Sequence, residues 1–260
     1  MDSAEHGKIP SGDTAGLAAA AWEPPSRDGD VARWPEGVGV SFDDFIRQQE
    51  ALAYGEGGFR SYGPEWASRP HKFGGSEYKR LVRVLRETRD AIAEARLDEQ
   101  QCAMLANECE KVTMYARSLR AADPYQTVWA NRFDLTGRGS ALIPPLEDIL
   151  IDQDGGRSHA SVTFGTSYVG AGNAAHGGAI ALLFDEVLGL TANAGRPVVR
   201  TAYLHVNYRA VTPMRTKLTV QAQIDRVDGR KRFVTGELRH GDTLLADAES
   251  LFVELKPWHS

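Results

Sequence analysis

Two glycines followed, at helical distance, by a carboxylate make up the part of this 260-residue sequence most able to do chemistry. The stretch runs His176-Gly177-Gly178-Ala179-Ile180-Ala181-Leu182-Leu183-Phe184-Asp185-Glu186-Val187-Leu188-Gly189. Without a Cβ, the glycine pair permits a tight passage from loop to helix and close approach of a ligand to the backbone. The first-turn N–H groups of that helix lack intrahelical partners and lie at the positive end of its dipole, so they can bind an oxyanion. Asp185 falls about two turns further along a helix whose apolar positions Ile180, Leu183, Phe184, Val187, Leu188 and Thr191 cover most of the circumference. Such a helix is expected to be buried, and a carboxylate sunk in it needs a partner or a task. Glu186 points about 100° away from Asp185 and reads as a structural or interface carboxylate. His176 is expected to shape the loop through hydrogen bonds rather than act as a base.

The elements around this helix follow from periodicity. Val162-Thr163-Phe164, Val198 to Val211, Leu218 to Val227, Arg232 to Arg239 and Leu244 to Leu255 read as strands, with Gly-containing turns at Asp228-Gly229-Arg230 and His240-Gly241-Asp242. In the strand after the helix, alternation puts Thr201, Tyr203, His205 and Asn207 on a polar face and Ala202, Leu204, Val206 and Tyr208 on an apolar one. Strand, buried helix and antiparallel meander together describe a sheet wrapped around a helix. Upstream, residues 1–40 read as a mobile N-terminal arm and 41–123 as a helical extension, leaving 124–260 for the sheet domain. Ser41 to Asp44 reads as a capping box, a Gly-rich break spans Gly55 to Gly75, and Asp98 with Gln101 starts the second of two helices between 76 and 120. Asp123-Pro124 closes that pair. Cys102 and Cys109, seven apart on one helix, are too distant for a disulfide and are expected to face a core.

His176-Gly177-Gly178, the acid at Asp185, the strand Thr201-Ala202-Tyr203-Leu204-His205-Val206-Asn207-Tyr208-Arg209 and Pro213 resemble the hotdog-fold acyl-CoA thioesterases of the PaaI-like branch. The resemblance spans residues 142–256 and implies an α+β hotdog fold, an antiparallel sheet around a long central helix. It assigns Asp185 as nucleophile or general base, the Gly177 amide as oxyanion donor and Thr201 as the group orienting substrate or water. His176, Gly178, Asn173 and Arg209 fall on the substrate-binding side. The family pattern further implies a homodimer or a dimer of dimers, with Asp185 and Gly177 of one site coming from different subunits. It calls for no cofactor and no metal. Some relatives carry an Asn where this sequence has Gly170, which leaves the second oxyanion donor unassigned; Asn173 is nearer but out of register.

A thioester suits so spare a site, because a thiol with a pKa of about 8.5 leaves readily as thiolate. Composition fits this reading. With 30 basic and 35 acidic residues, net charge −5, the whole chain is too acidic for nucleic-acid binding. No run approaches the roughly 20 apolar residues of a membrane span. The short run from Ala15 to Trp22, preceded by Asp13, lacks the basic leader of a secretory signal, so a soluble, cytoplasmic protein is expected. Two alternatives fit less well: a non-catalytic acyl-CoA-binding regulator, disfavoured by the presence of Asp185 and by helices too long and balanced for helix-turn-helix reading, and a hotdog hydratase, whose His and acid arrangement is not seen.

Overall fold

The structure is a computed structural model that describes Trp34 and residues 37–53, 74–122, 127–128, 135–197 and 199–254. Of the expected mobile arm, residues 1–40, all but Trp34 and residues 37–40 lie outside these residues, as do most of the Gly-rich break and the Asp123-Pro124 stop. The described residues from Gly37 onward form one compact unit.

In chain order the elements are β1 (Val40–Ser41), α1 (Phe42–Ala53), α2 (Gly75–Glu94), α3 (Glu99–Ser118), β2 (Leu146–Asp152), β3 (Arg157–Thr163), α4 (Gly177–Asn193), β4 (Val199–Tyr208), β5 (Lys217–Asp228), β6 (Lys231–His240) and β7 (Thr243–Glu254). The strands make one seven-stranded antiparallel sheet in the order β1-β2-β3-β5-β6-β7-β4, which leaves β4 at an edge. The sheet curls around α4, which packs on β3 through β7. Phe164, Leu183, Phe184, Leu188, Leu218 and Phe252 are fully buried between them. Gly236 of β6 allows this closeness: a Cβ there would lie 2.8 Å from Leu188 Cδ2 and 3.0 Å from the Gln221 carbonyl.

Strands β1 and β2 are not anticipated by the sequence pattern. β2 reads Leu-Glu-Asp-Ile-Leu-Ile-Asp, and its register breaks between Glu147 and Leu150, where Asp148 takes a φ of 49°. The irregularity erases the two-residue alternation that identifies a strand. The turn Asp154-Gly155-Gly156 before β3 is the signal that marks it.

The helical stretch departs from expectation in one respect. α2 packs through Val82 and anchors the loop at 165–168, where Asp90 Oδ1 accepts the Ser167 N–H at 2.8 Å and Arg89 lies over the Tyr168 ring. α3 opens on the expected capping box between Asp98 and Gln101, yet none of its residues is buried. Cys102 and Cys109 are exposed free thiols, and Met104, Val112 and Tyr115 are exposed as well. Helical spacing of apolar residues identifies the helix; it does not say that the same chain covers the stripe.

Candidate active site

The loop before α4 is fixed by its backbone. The Tyr168 carbonyl accepts the His176 N–H at 2.8 Å, Ala175 N–H donates to the Thr212 carbonyl at 3.0 Å, and Ala174 bridges to Pro213. His176 then caps the helix: its Nδ1 accepts the Gly178 N–H at 2.9 Å. The Tyr208 hydroxyl donates to the Gly177 carbonyl at 2.8 Å. Both glycines keep these contacts uncrowded, since a Cβ would stand 3.2 Å from the Tyr208 hydroxyl at Gly177 and 3.1 Å from His176 Nδ1 at Gly178, and either neighbour would have to shift by a few tenths of an ångström. No side chain fits at Gly170, where a Cβ would lie 2.9 Å from His176 Cα; the Asn of some relatives has no room here. Among the described residues nothing accepts the Gly177 N–H, which points outward along the helix axis.

Asp185 sits eight residues beyond Gly177 on the same helix, about 12 Å along its axis. Contrary to the expectation of burial, its side chain is exposed on this chain. The sheet embraces one side of α4 and leaves uncovered the side that carries Gly178 and Asp185. The Thr201 hydroxyl donates to Asp185 Oδ1 at 3.0 Å. Thr201 reaches the helix because the β4–β7 register shifts between Thr201 and Tyr203, which corrects the face assignment made from alternation. The extra residue, Ala202, moves Thr201 to the face of Leu204, Val206 and Tyr208. Tyr203, His205 and Asn207 remain on the opposite face, where His205 pairs with Glu249 and Asn207 with Asp247.

The site residues expected from sequence therefore form two groups in one chain. His176, Gly177 and Gly178 surround the helix start, with Asn173 nearby in a short 3-10 turn at a φ of 58°. Arg209 follows the far end of β4, about 26 Å along the strand from Thr201, and is ion-paired with Asp247. Asp185 and Thr201 form the second group. Glu186 accepts the Gly137 N–H and so fastens the 136–139 turn to the helix. Tyr208, which alternation places on a packing face, is a helix-start residue that the sequence does not reveal; nothing in its residue type distinguishes it from a core aromatic.

A cavity of about 440 Å³ opens beside Asp185 and Thr201, walled on one side by Phe42, Phe45 and Ile46 of α1. Among the described residues no group of three or more His, Cys, Asp or Glu is placed to hold a metal ion, and no helix is long and apolar enough to cross a membrane.

Residues 172–246 match the family model of the thioesterase superfamily. Bovine acyl-coenzyme A thioesterase THEM4 is 34% identical over 84 residues, 32% of this chain and 34% of the relative. The rat protein of that name is 36% identical over the same length, 36% of its own chain. The chain thus matches only about a third of the length of these curated relatives. A solved structure described as a thioesterase superfamily protein aligns over 69% of this chain and 92% of its own, with 29% identity and a TM-score of 0.60. Sheet and central helix make a hotdog fold, and residues 172–246 within it resemble the thioesterase superfamily.

Proposed function

We propose that the protein hydrolyses acyl-CoA thioesters to free carboxylic acid and coenzyme A, with each active site built from two copies of the chain. The observation that carries this reading is the Thr201 hydroxyl on Asp185 Oδ1 at 3.0 Å. That bond fixes the carboxylate and leaves Oδ2 to a water. Oδ2 takes a proton as the water oxygen attacks the thioester carbonyl carbon, and the carbonyl oxygen becomes an oxyanion. Collapse of the tetrahedral adduct breaks the C–S bond, and the thiolate of coenzyme A leaves and is protonated. A positioned base contributes roughly 10²–10⁴ in rate and one oxyanion donor roughly 10²–10³.

The spacing along α4 supports a site shared between two copies. An oxyanion on the Gly177 N–H sits about 3 Å beyond the helix end, hence roughly 15 Å from Asp185 along the axis of the same helix. One water cannot bridge that gap. A second copy, laid along the uncovered side of α4, brings its own Gly177 turn to Asp185.

The test is thiol release from acyl-CoAs of graded length by wild type, by Asp185→Asn, and by a mixture of Asp185→Asn with Gly178→Val. Wild type turns over and each variant alone is strongly impaired. The mixture recovers activity, because a mixed dimer contains one site with both groups intact. A wild type inert on every acyl-CoA, or an Asp185→Asn variant at full rate, overturns the reading; a mixture no better than its components overturns the shared site.

A further inference from the structure

The cavity beside Asp185 has a composition that selects which part of a thioester can enter it. Phe42, Phe45 and Ile46 of α1 line it together with Leu190, Val199 and Phe252, beside the polar Thr136, Asn193 and Thr201. Its charged residues are Asp185, Glu186 and Arg200, and Glu186 is already bonded to the Gly137 N–H. A chamber with two carboxylates among three charges repels the phosphates of coenzyme A and accepts a hydrocarbon. Its volume is within the range of small-ligand pockets.

Gly189 lies one turn beyond Asp185 on the same side of α4 and lines this cavity. Glycine is the poorest helix former after proline, so its presence inside the central helix needs a reason. Packing within the chain does not supply one: the nearest atom a Cβ would meet is in the Phe252 ring at 3.7 Å, an ordinary contact. What glycine provides at that position is floor space in the cavity.

We propose that the cavity between α1 and α4 holds the acyl group, and that Gly189 and Ile46 set the length of chain it accepts. The N-terminal helix α1 is thereby part of the substrate pocket. This rests on the acyl-CoA reading above.

The experiment compares kcat/KM for butanoyl- to hexadecanoyl-CoA in wild type, Gly189→Ala, Gly189→Leu and Ile46→Ala, with thermal unfolding and solution mass of each. Gly189→Leu is expected to lose about tenfold or more on the longest chains that wild type accepts, the size of a pocket filled by extra carbons, and to lose far less on butanoyl-CoA. Ile46→Ala is expected to extend the profile to longer chains, and Gly189→Ala to unfold no earlier than wild type. A uniform loss at every length, an unchanged profile, or a changed solution mass in Gly189→Ala overturns the proposal. If wild type hydrolyses no thioester, the proposed function fails instead. Calorimetry then decides the pocket: weaker binding of dodecanoyl-CoA, but not of coenzyme A, by Gly189→Leu supports it, and equal affinities overturn it.

Discussion

Thr201 Oγ1 lies 3.0 Å from Asp185 Oδ1 because one extra residue in β4 turns a side chain that regular alternation would aim away from the helix. The bulge is the device that joins the sheet edge to the acid. An extended strand presents every second residue to one face, and Leu204, Val206 and Tyr208 use that face to meet α4. Shifting the phase at Ala202 lets the same face also supply a hydroxyl, without giving up an apolar contact.

Thr201→Val keeps the shape and removes the donor. It is expected to lower kcat for acyl-CoA hydrolysis by about tenfold or more, the worth of one hydrogen bond to a charged group, with little change in KM. Thr201→Ser is expected to restore most of the rate. Steady-state kinetics on one acyl-CoA checks both; a Val variant as fast as wild type would detach the hydroxyl from the chemistry.

The helix-start turn gives a second expectation. His176→Ala removes the acceptor of the Gly178 N–H and is expected to cost about 0.5–2 kcal/mol of stability, the usual worth of an N-cap. The variant should also lower kcat, because the Gly177 amide is aimed by the same turn. His176→Asn supplies another capping acceptor and is expected to recover stability and rate together. Rescue by Asn separates a positioning role for His176 from a proton-transfer role, which Asn cannot fill.

Much of this site was legible from residue types. His-Gly-Gly before an apolar helix with an acid at Asp185 announces both the helix and its capped start, since each feature is local in the chain. The face of Thr201 was not legible, because a bulge is a tertiary adjustment to the neighbouring strand and leaves no composition signal around Ala202. Nor was the exposure of Asp185: a helix apolar around most of its circumference does not reveal that its own sheet covers only part of it. The contribution of Phe42, Phe45 and Ile46 to the cavity was hidden for a third reason, their separation from Asp185 by more than a hundred residues. The bare stripe of α3 shows the limit of periodicity in the opposite direction.

The half-buried His159 of β3 predicts an acid response. Burial pushes its imidazole below the ordinary histidine value, against the opposing pull of Asp148. On acidification the unfolded chain therefore takes up this proton first, near a pH of about 6.5, and the native state resists it. Stability is complete above that value and falls as pH drops from it toward the lower native value. His159→Gln is expected to flatten this part of the profile. Urea midpoints measured from about pH 7 to pH 5 check it; a variant with the same slope as wild type would assign the loss to other groups.

Arg232 carries the last prediction, which concerns the far end of α4. Only 4% exposed, its guanidinium donates to the Ala192 carbonyl at 2.7 Å, to the Pro197 carbonyl at 2.7 Å and to Glu254 Oε2 at 3.2 Å. Burial lowers its pKa and Glu254 opposes that shift. The charge sits where the helix leaves carbonyls without partners and its dipole is negative. One planar fork thus closes the helix, the chain leading into β4 and the end of β7. Arg232→Met leaves the buried Ala192 carbonyl and the part-buried Pro197 carbonyl unmatched and Glu254 without its partner, so a loss of about 3 kcal/mol is expected, or on the order of 10 °C in Tm for a unit of this size. Arg232→Lys keeps the charge but not the fork and is expected to recover only part. Because Asp185 and Thr201 lie on the two elements that Arg232 ties together, the Lys variant should also lose rate at temperatures well below its own Tm. A Lys variant with wild-type kcat and a lowered Tm would confine Arg232 to stability alone.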